Sequence, residues 1–165
     1  MKKQLYCDID STINNHWERI KKWSLPSFPG TDIHPNAFTR EEVMKDKVLN
    51  CSLDVLNRFK EEWDIHFLSA RDFKDSYEIT KDWLDLYKFP YTSINVVDRS
   101  SDKPIFLRNK IVHLFIDDFS YGQERGNSYI ELYTEVIRDI ERMGIRYEIF
   151  RDNWKEIENK YLEKK

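Results

Sequence analysis

The sequence predicts an α/β protein built on a mainly parallel five-stranded sheet, and three observations carry that reading. Short apolar runs alternate with amphipathic stretches along the chain, so strands and helices take turns. The runs are of strand length and several are rich in Val, Ile, Tyr or Phe, residues that suit a pleated, buried surface. Three of them close on polar side chains, and an open parallel sheet holds its ligands beyond the carboxyl ends of its strands.

Strands are expected over residues 4–9, 65–69, 93–97, 112–116 and 146–150. Right-handed crossovers leave few arrangements for such an alternating chain. The order 3-2-1-4-5 obeys them and sets strand 1 between strands 2 and 4, so the result is a Rossmann-like three-layer sandwich. A chain of 165 residues supports one well-buried core, and residues 1–165 are expected to form a single domain.

The helices follow from periodicity and end signals. After Ser52, a plausible N-cap, Leu53, Leu56, Phe59 and Trp63 recur on one face. Asp75 opens the next helix, with Glu78 placed as in a capping box and Ile79, Trp83 and Tyr87 as its apolar stripe. A long helix is expected from about Ser128 to Gly144, and a charged surface helix from Asn153.

Residues 13–50 break the alternation. They hold three of the five prolines, with Trp17, Trp23, Phe28 and Phe38 interspersed, and exceed ordinary loop length. The segment reads as a small cap inserted after strand 1, or as an irregular packed excursion with no part in substrate binding. A second irregular stretch, residues 120–127, reads as a loop beside the site.

Composition narrows the function classes. With 40% apolar and 35% charged residues the chain is of the globular type. A net charge of −3 provides no general attraction to nucleic acid or anionic membrane. No window approaches a membrane span and no secretory apolar region opens the chain, so a cytoplasmic protein is expected. Cys7 and Cys51 match no metal or disulfide spacing and read as inert core thiols. Nothing in the sequence sets the oligomeric state.

The chemistry lies at the strand ends. Strand 1 closes on Asp8-Ile9-Asp10-Ser11-Thr12, which puts two carboxylates on one side if the extended conformation persists. Such a pair is tolerable when a divalent cation is shared or one carboxyl keeps a proton, and both conditions suit phosphoryl transfer. Strand 2 closes on Ser69-Ala70-Arg71 and strand 4 on Asp117-Asp118. The four histidines show no metal-ligand pairing. His66 and His113 read as structural strand residues, whereas His16 and Trp17, close behind the first motif, either face the leaving group of a substrate or pack.

Taken together, these motifs resemble the haloacid dehalogenase-like (HAD) superfamily: Asp-x-Asp-x-Thr, a Ser or Thr after strand 2, a Lys, and a late acidic pair. The resemblance implies Asp8 as nucleophile, Asp10 as general acid and base, Thr12 as a supporting hydrogen-bond donor and Ser69 as a phosphate ligand. It implies a Mg²⁺ site drawn from Asp8, Asp10, Asp117 and Asp118, with substrate held by Ser69, Ala70, Arg71 and the lysine, and by His16 and Trp17. Lys103, fourteen residues before Asp117 and followed by Pro104, is the first choice for that lysine, and Lys110 is its rival. Lys81, within an amphipathic helix, is a weaker candidate.

Within the superfamily the chain most resembles small 5′(3′)-deoxyribonucleotidases and phage-type nucleotidases. The likeness lies in Phe67 to Arg71, Thr80-x-x-Trp83-Leu84, Phe89-Pro90-Tyr91, Phe115 to Asp118 and Asn153-Trp154. The same features resemble the 3′-phosphatase domain of polynucleotide kinase. A small phosphorylated substrate, a nucleotide first and a nucleic-acid end second, is therefore expected, and a non-catalytic phosphate-binding module is the reading from another class. Ser11 departs from the family's common Gly, and the segment 13–50 does not align with the nucleotidase cap. Trp17, Trp23 and Phe28 are candidates to stack on a base, with Arg40, Lys45, Lys47 and Arg71 as a local basic track.

Overall fold

A computed structural model describes residues 1–24, 32–123 and 130–162. Five parallel strands form the sheet: β1 (Lys3–Cys7), β2 (Trp63–Ala70), β3 (Ser93–Val97), β4 (Leu114–Asp117) and β7 (Tyr147–Ile149). Their order is β3-β2-β1-β4-β7, which is the predicted 3-2-1-4-5 with the last strand renumbered. Every neighbouring pair is parallel. Register puts Cys7 opposite both Phe67 and Ile116, so the residues that follow β1 emerge level with the ends of β2 and β4.

Side-chain alternation along these strands builds two cores. Leu5, Cys7, Phe67 and Ile116 face one side, where α3 (Ser52–Phe59), α4 (Ser76–Leu86) and α7 (Trp154–Tyr161) pack with Leu56, Phe59, Trp83 and Trp154. Tyr6, Leu68 and Phe115 face the other, covered by α5 (Asp102–Leu107) and α6 (Thr134–Arg142) through Leu107, Val136 and Ile140. Each of these side chains, taken fully out of water, contributes about 1.5–3 kcal/mol, which makes the strand register costly to shift.

Local detail departs from the sequence reading at several helix ends. The N-cap of α3 is Cys51, not Ser52, and it holds a left-handed φ of 69°. Ser52 instead donates its hydroxyl to the Leu49 carbonyl. Cys51 is exposed, so only Cys7 is a core thiol. Asp75 does cap α4, but its left-handed φ of 58° is not the extended conformation that a capping box needs, and its side chain makes no cap hydrogen bond. Helix α6 begins only at Thr134, because β6 (Glu131–Leu132) pairs antiparallel with β5 (Ser120–Tyr121) just before it. The predicted start at Ser128 lies outside the described residues. Gly144 follows α6 with a φ of +71°, the left-handed turn expected there. Helix α7 is not a mere surface helix: Trp154 and Ile157 are buried, and Trp154 Nε1 donates to the Thr12 carbonyl at 2.9 Å.

Between β1 and α3 run α1 (His16–Lys22), a 3₁₀ turn (Pro35–Phe38) and a single-turn α2 (Arg40–Val43). Buried Arg19 binds Asp46 through Nε at 3.0 Å and Nη2 at 3.1 Å, and donates through Nη1 to the Ala37 carbonyl at 2.7 Å. Trp83 of α4 donates to the Asp46 carbonyl, which ties the segment to the main body. Phe28, one of the candidate stacking rings, lies outside the described residues.

Candidate active site

β1, β2 and β4 lie side by side, and their ends bring the strand-end motifs to one edge of the sheet. Asp8, Asp117 and Asp118 are all buried, and one carboxylate oxygen from each lies within 4.8 Å of the others. Among the described residues, these three carboxylates are the ones that could hold a metal ion. An all-oxygen donor set with this charge suits Mg²⁺ better than a soft metal.

A buried cation already threads the cluster. Lys103, on α5, donates from Nζ to Asp8 Oδ1 at 2.9 Å and to Asp117 Oδ2 at 2.7 Å. Burial opposes its charge, yet Asp117 and Asp8 hold its ammonium above the usual lysine range. The other lysines stand elsewhere: Lys110 lies over the Phe106 ring on the surface, and Lys81 pairs with Asp85 on the exposed face of α4.

Burial, with Asp8 beside it, pushes Asp117 up to about 6 despite the lysine. The same two causes, joined by Asp117, raise Asp118 well above the carboxylate range. Fixed dipoles hold the pair in place. The Phe119 N–H donates to Asp117 Oδ1 at 2.8 Å, and Ser120 and Gln123 both donate to Asp118 Oδ2 at 2.9 Å. The Thr12 hydroxyl lies 3.0 Å from Asp8 Oδ2 and 3.2 Å from Asp118 Oδ1, and accepts the Asp118 N–H.

Ser69 stands next to last in β2, and it is not among the residues that line the cavity at the acidic edge. It is fully buried at the end of β2, and its hydroxyl has no hydrogen-bond partner among the described residues. An orphaned buried hydroxyl costs about 1–3 kcal/mol.

Comparison with known proteins finds this fold elsewhere. A chain in the structure of the Pnkp1/Rnl/Hen1 complex matches with a TM-score of 0.56 and 16% identity, covering 91% of this chain and 46% of that one. A chain of the Pnkp1/Rnl/Hen1 RNA repair complex matches with a TM-score of 0.56 and 17% identity, covering 91% of this chain and 42% of that one. This chain thus spans less than half the length of either, and the likeness is one of fold. No family model matches, and no curated protein matches significantly.

The acidic edge opens into a cavity of about 260 Å³. Ala70, Arg71 and His16 line it, and its aromatic wall includes Phe38 and Phe73, whose ring centroids are 5.6 Å apart. Asp10 also faces it, but its carboxylate is not brought into the acidic triad. Arg71 binds Asp10 through both oxygens, and Arg19 stands 4.0 Å away. Burial favours the neutral acid, yet Arg71 holds Asp10 well below the usual carboxylate range.

Ser11 holds a left-handed φ of 66°, a conformation glycine adopts with less strain, and its N–H is anchored on Asn14 Oδ1 at 3.1 Å. Its hydroxyl lies 2.9 Å from His16 Nδ1. Burial lowers the His16 pKa, with Asp10 opposing. Trp17 does not line this cavity; it lines a separate depression beside it. His66 stacks on Tyr6 and bonds Gln4 and Ser93, while His113, one residue before β4, accepts the Gln4 N–H. Arg40 and Lys45 are engaged by Asp82 and Glu42, which leaves Lys47 of the candidate basic track without an acidic partner among the described residues.

The sequence reading missed Arg19, Asp46 and Gln123. Arg19 and Asp46 lie 27 residues apart in the irregular segment, where no periodicity marks a pair.

Proposed function

We propose that the chain is a Mg²⁺-dependent phosphate monoester hydrolase of the HAD type, with residues 13–50 as its cap. The observation that carries this reading is the burial of three carboxylates together, two of them bound to one lysine, while the Ser69 hydroxyl on the neighbouring strand has no hydrogen-bond partner among the described residues. No structural ion pair needs a third carboxylate, and burying like charges together is costly unless a ligand rewards it. Asp8, Asp117 and Asp118 would hold the metal, which supplies positive charge against the phosphoryl oxygens.

Asp8 Oδ attacks phosphorus, and the bond from phosphorus to the leaving oxygen breaks as Asp10 gives that oxygen its proton. Water then attacks the aspartyl-phosphate, Asp10 takes the water's proton, and inorganic phosphate leaves Asp8 free. Lys103, Ser69 and Arg71 bind the phosphoryl oxygens and reduce their repulsion toward the anionic nucleophile. A phosphate that draws Arg71 away from Asp10 would also let Asp10 carry a proton.

The substrate is best read as a phosphorylated nucleic-acid end, since the fold neighbours come from an RNA repair complex. A free nucleoside monophosphate is the second reading, favoured by the Phe38 and Phe73 rings, which offer a base a wall inside the cavity itself. The test is phosphate release from p-nitrophenyl phosphate, mononucleotides and 3′-phosphorylated oligonucleotides, with Mg²⁺ and with chelator. Turnover that needs the metal and disappears in Asp8→Asn supports the hydrolase. Metal binding without turnover of any monoester marks a non-catalytic binding module instead.

A further inference from the structure

The catalytic cavity does not stand alone. Asp118 and Gln123 line it, and the same two residues line a second depression of about 770 Å³. Trp17, Val48, Leu49 and Phe150 give this neighbour an apolar wall, and Lys47 and Arg151 give it positive charge. Trp17, on α1, is only partly buried. Arg151 donates from Nη1 to the carbonyls of Asp118 and Phe150, both at 2.7 Å. Those acceptors are neutral, so Arg151 brings its full charge to the second depression. Of the two acidic residues in the depression, Asp118 belongs to the triad, which leaves Asp152 alone against two cations.

A third depression, which shares Ala70, Ser100, Tyr121 and Tyr133 with the cavity, has the opposite character. There Asp98 and Glu135 flank a single Arg99, a poor surface for a polyanion. Charge therefore assigns a direction to any chain that enters the cavity by its end.

Resting on the reading of the cavity as a phosphate site, we propose that the depression around Trp17 binds the single-stranded nucleic-acid segment leading to the terminal phosphate. A base stacks on Trp17, and a phosphodiester lies at Lys47 and Arg151. A partly exposed tryptophan lining a depression with two cations is the combination that single strands use, with stacking as the sequence-tolerant part.

The test is fluorescence anisotropy with 5′-labelled, 3′-phosphorylated tetranucleotides of DNA and of RNA, in an Asp8→Asn background that prevents cleavage. Trp17→Ala should weaken binding about tenfold to hundredfold, whereas Trp17→Phe, which keeps a stacking face, should stay within a few-fold. Lys47→Ala should lower the slope of log affinity against log salt by about one. In the active enzyme, kcat/KM for the tetranucleotide should exceed that for the matching nucleoside 3′-monophosphate, and Trp17→Ala should bring the ratio toward one. Equal binding by Trp17→Ala and the parent, or an equal loss in Trp17→Phe, would overturn the strand site. Failure of the wild-type protein to hydrolyse any monoester, with these binding differences intact, would sink the phosphatase reading and leave the strand site standing.

Discussion

Arg71 grips Asp10 at both carboxylate oxygens, Nε to Oδ2 at 3.1 Å and Nη2 to Oδ1 at 2.8 Å. Its remaining nitrogen, Nη1, donates to the Thr80 hydroxyl on α4 at 2.8 Å, so the fork is fixed from behind. Arg71→Ala would leave Asp10 with the Asn14 side-chain amide at 3.0 Å and the more distant Arg19, and should cost about 3 kcal/mol of folding stability. Arg71→Lys keeps the charge but not the fork, and should recover part of that loss. Because the folded protein depresses the Asp10 pKa, its contribution is fully present above the unfolded value, about pH 4, and is lost progressively as pH falls from there toward the depressed folded value. Urea unfolding should therefore separate wild type from Arg71→Ala clearly at about pH 7 and less at about pH 3.

Lys103→Ala removes the one cation between Asp8 and Asp117 and leaves three buried carboxylates facing one another. Without divalent metal the variant should lose about 3–5 kcal/mol. Mg²⁺ would replace the missing charge, so adding it should raise the melting temperature of the variant more than that of wild type. Scanning calorimetry with and without Mg²⁺ checks both parts; equal shifts in the two proteins would contradict the shared site.

Metal affinity should also follow pH. Asp117 is pushed up to about 6 by burial and by Asp8, and Asp118 is raised as well. A raised carboxylate stabilises the metal-free fold fully below its unfolded pKa, and that contribution is lost as pH rises through about 6. Cation binding runs the other way, since the ligands must give up their protons. Titration with Mg²⁺ or Mn²⁺ should show affinity level above about pH 7 and falling about tenfold between pH 6 and pH 5.

The sheet order was legible because each strand is a compact apolar run and the crossover rule leaves few ways to join five of them. The edge position of Asp8, Ser69 and Asp117 was legible for the same reason: each closes a run, and parallel strands side by side bring their ends together. The 14-residue spacing from Lys103 to Asp117 was a weaker signal, because it depends on where α5 comes back over the sheet. Other features had no signature to read. The Arg19–Asp46 pair forms across irregular chain, and Gln123 reaches Asp118 from a hairpin whose strands are two residues each, too short for any periodicity. The Asp75 cap followed favourable residue types, yet left-handed backbone there overrides the capping box that Glu78 suggested.

The central claim is that Asp8 takes the phosphoryl group. Reaction with an activated monoester and Mg²⁺, followed by rapid acid quench and peptide mass spectrometry, tests it most directly. A phosphoryl group on the peptide containing Asp8, absent in Asp8→Asn, is the predicted result. Burst-phase turnover with phosphate never found on Asp8, or found on another residue, would contradict it.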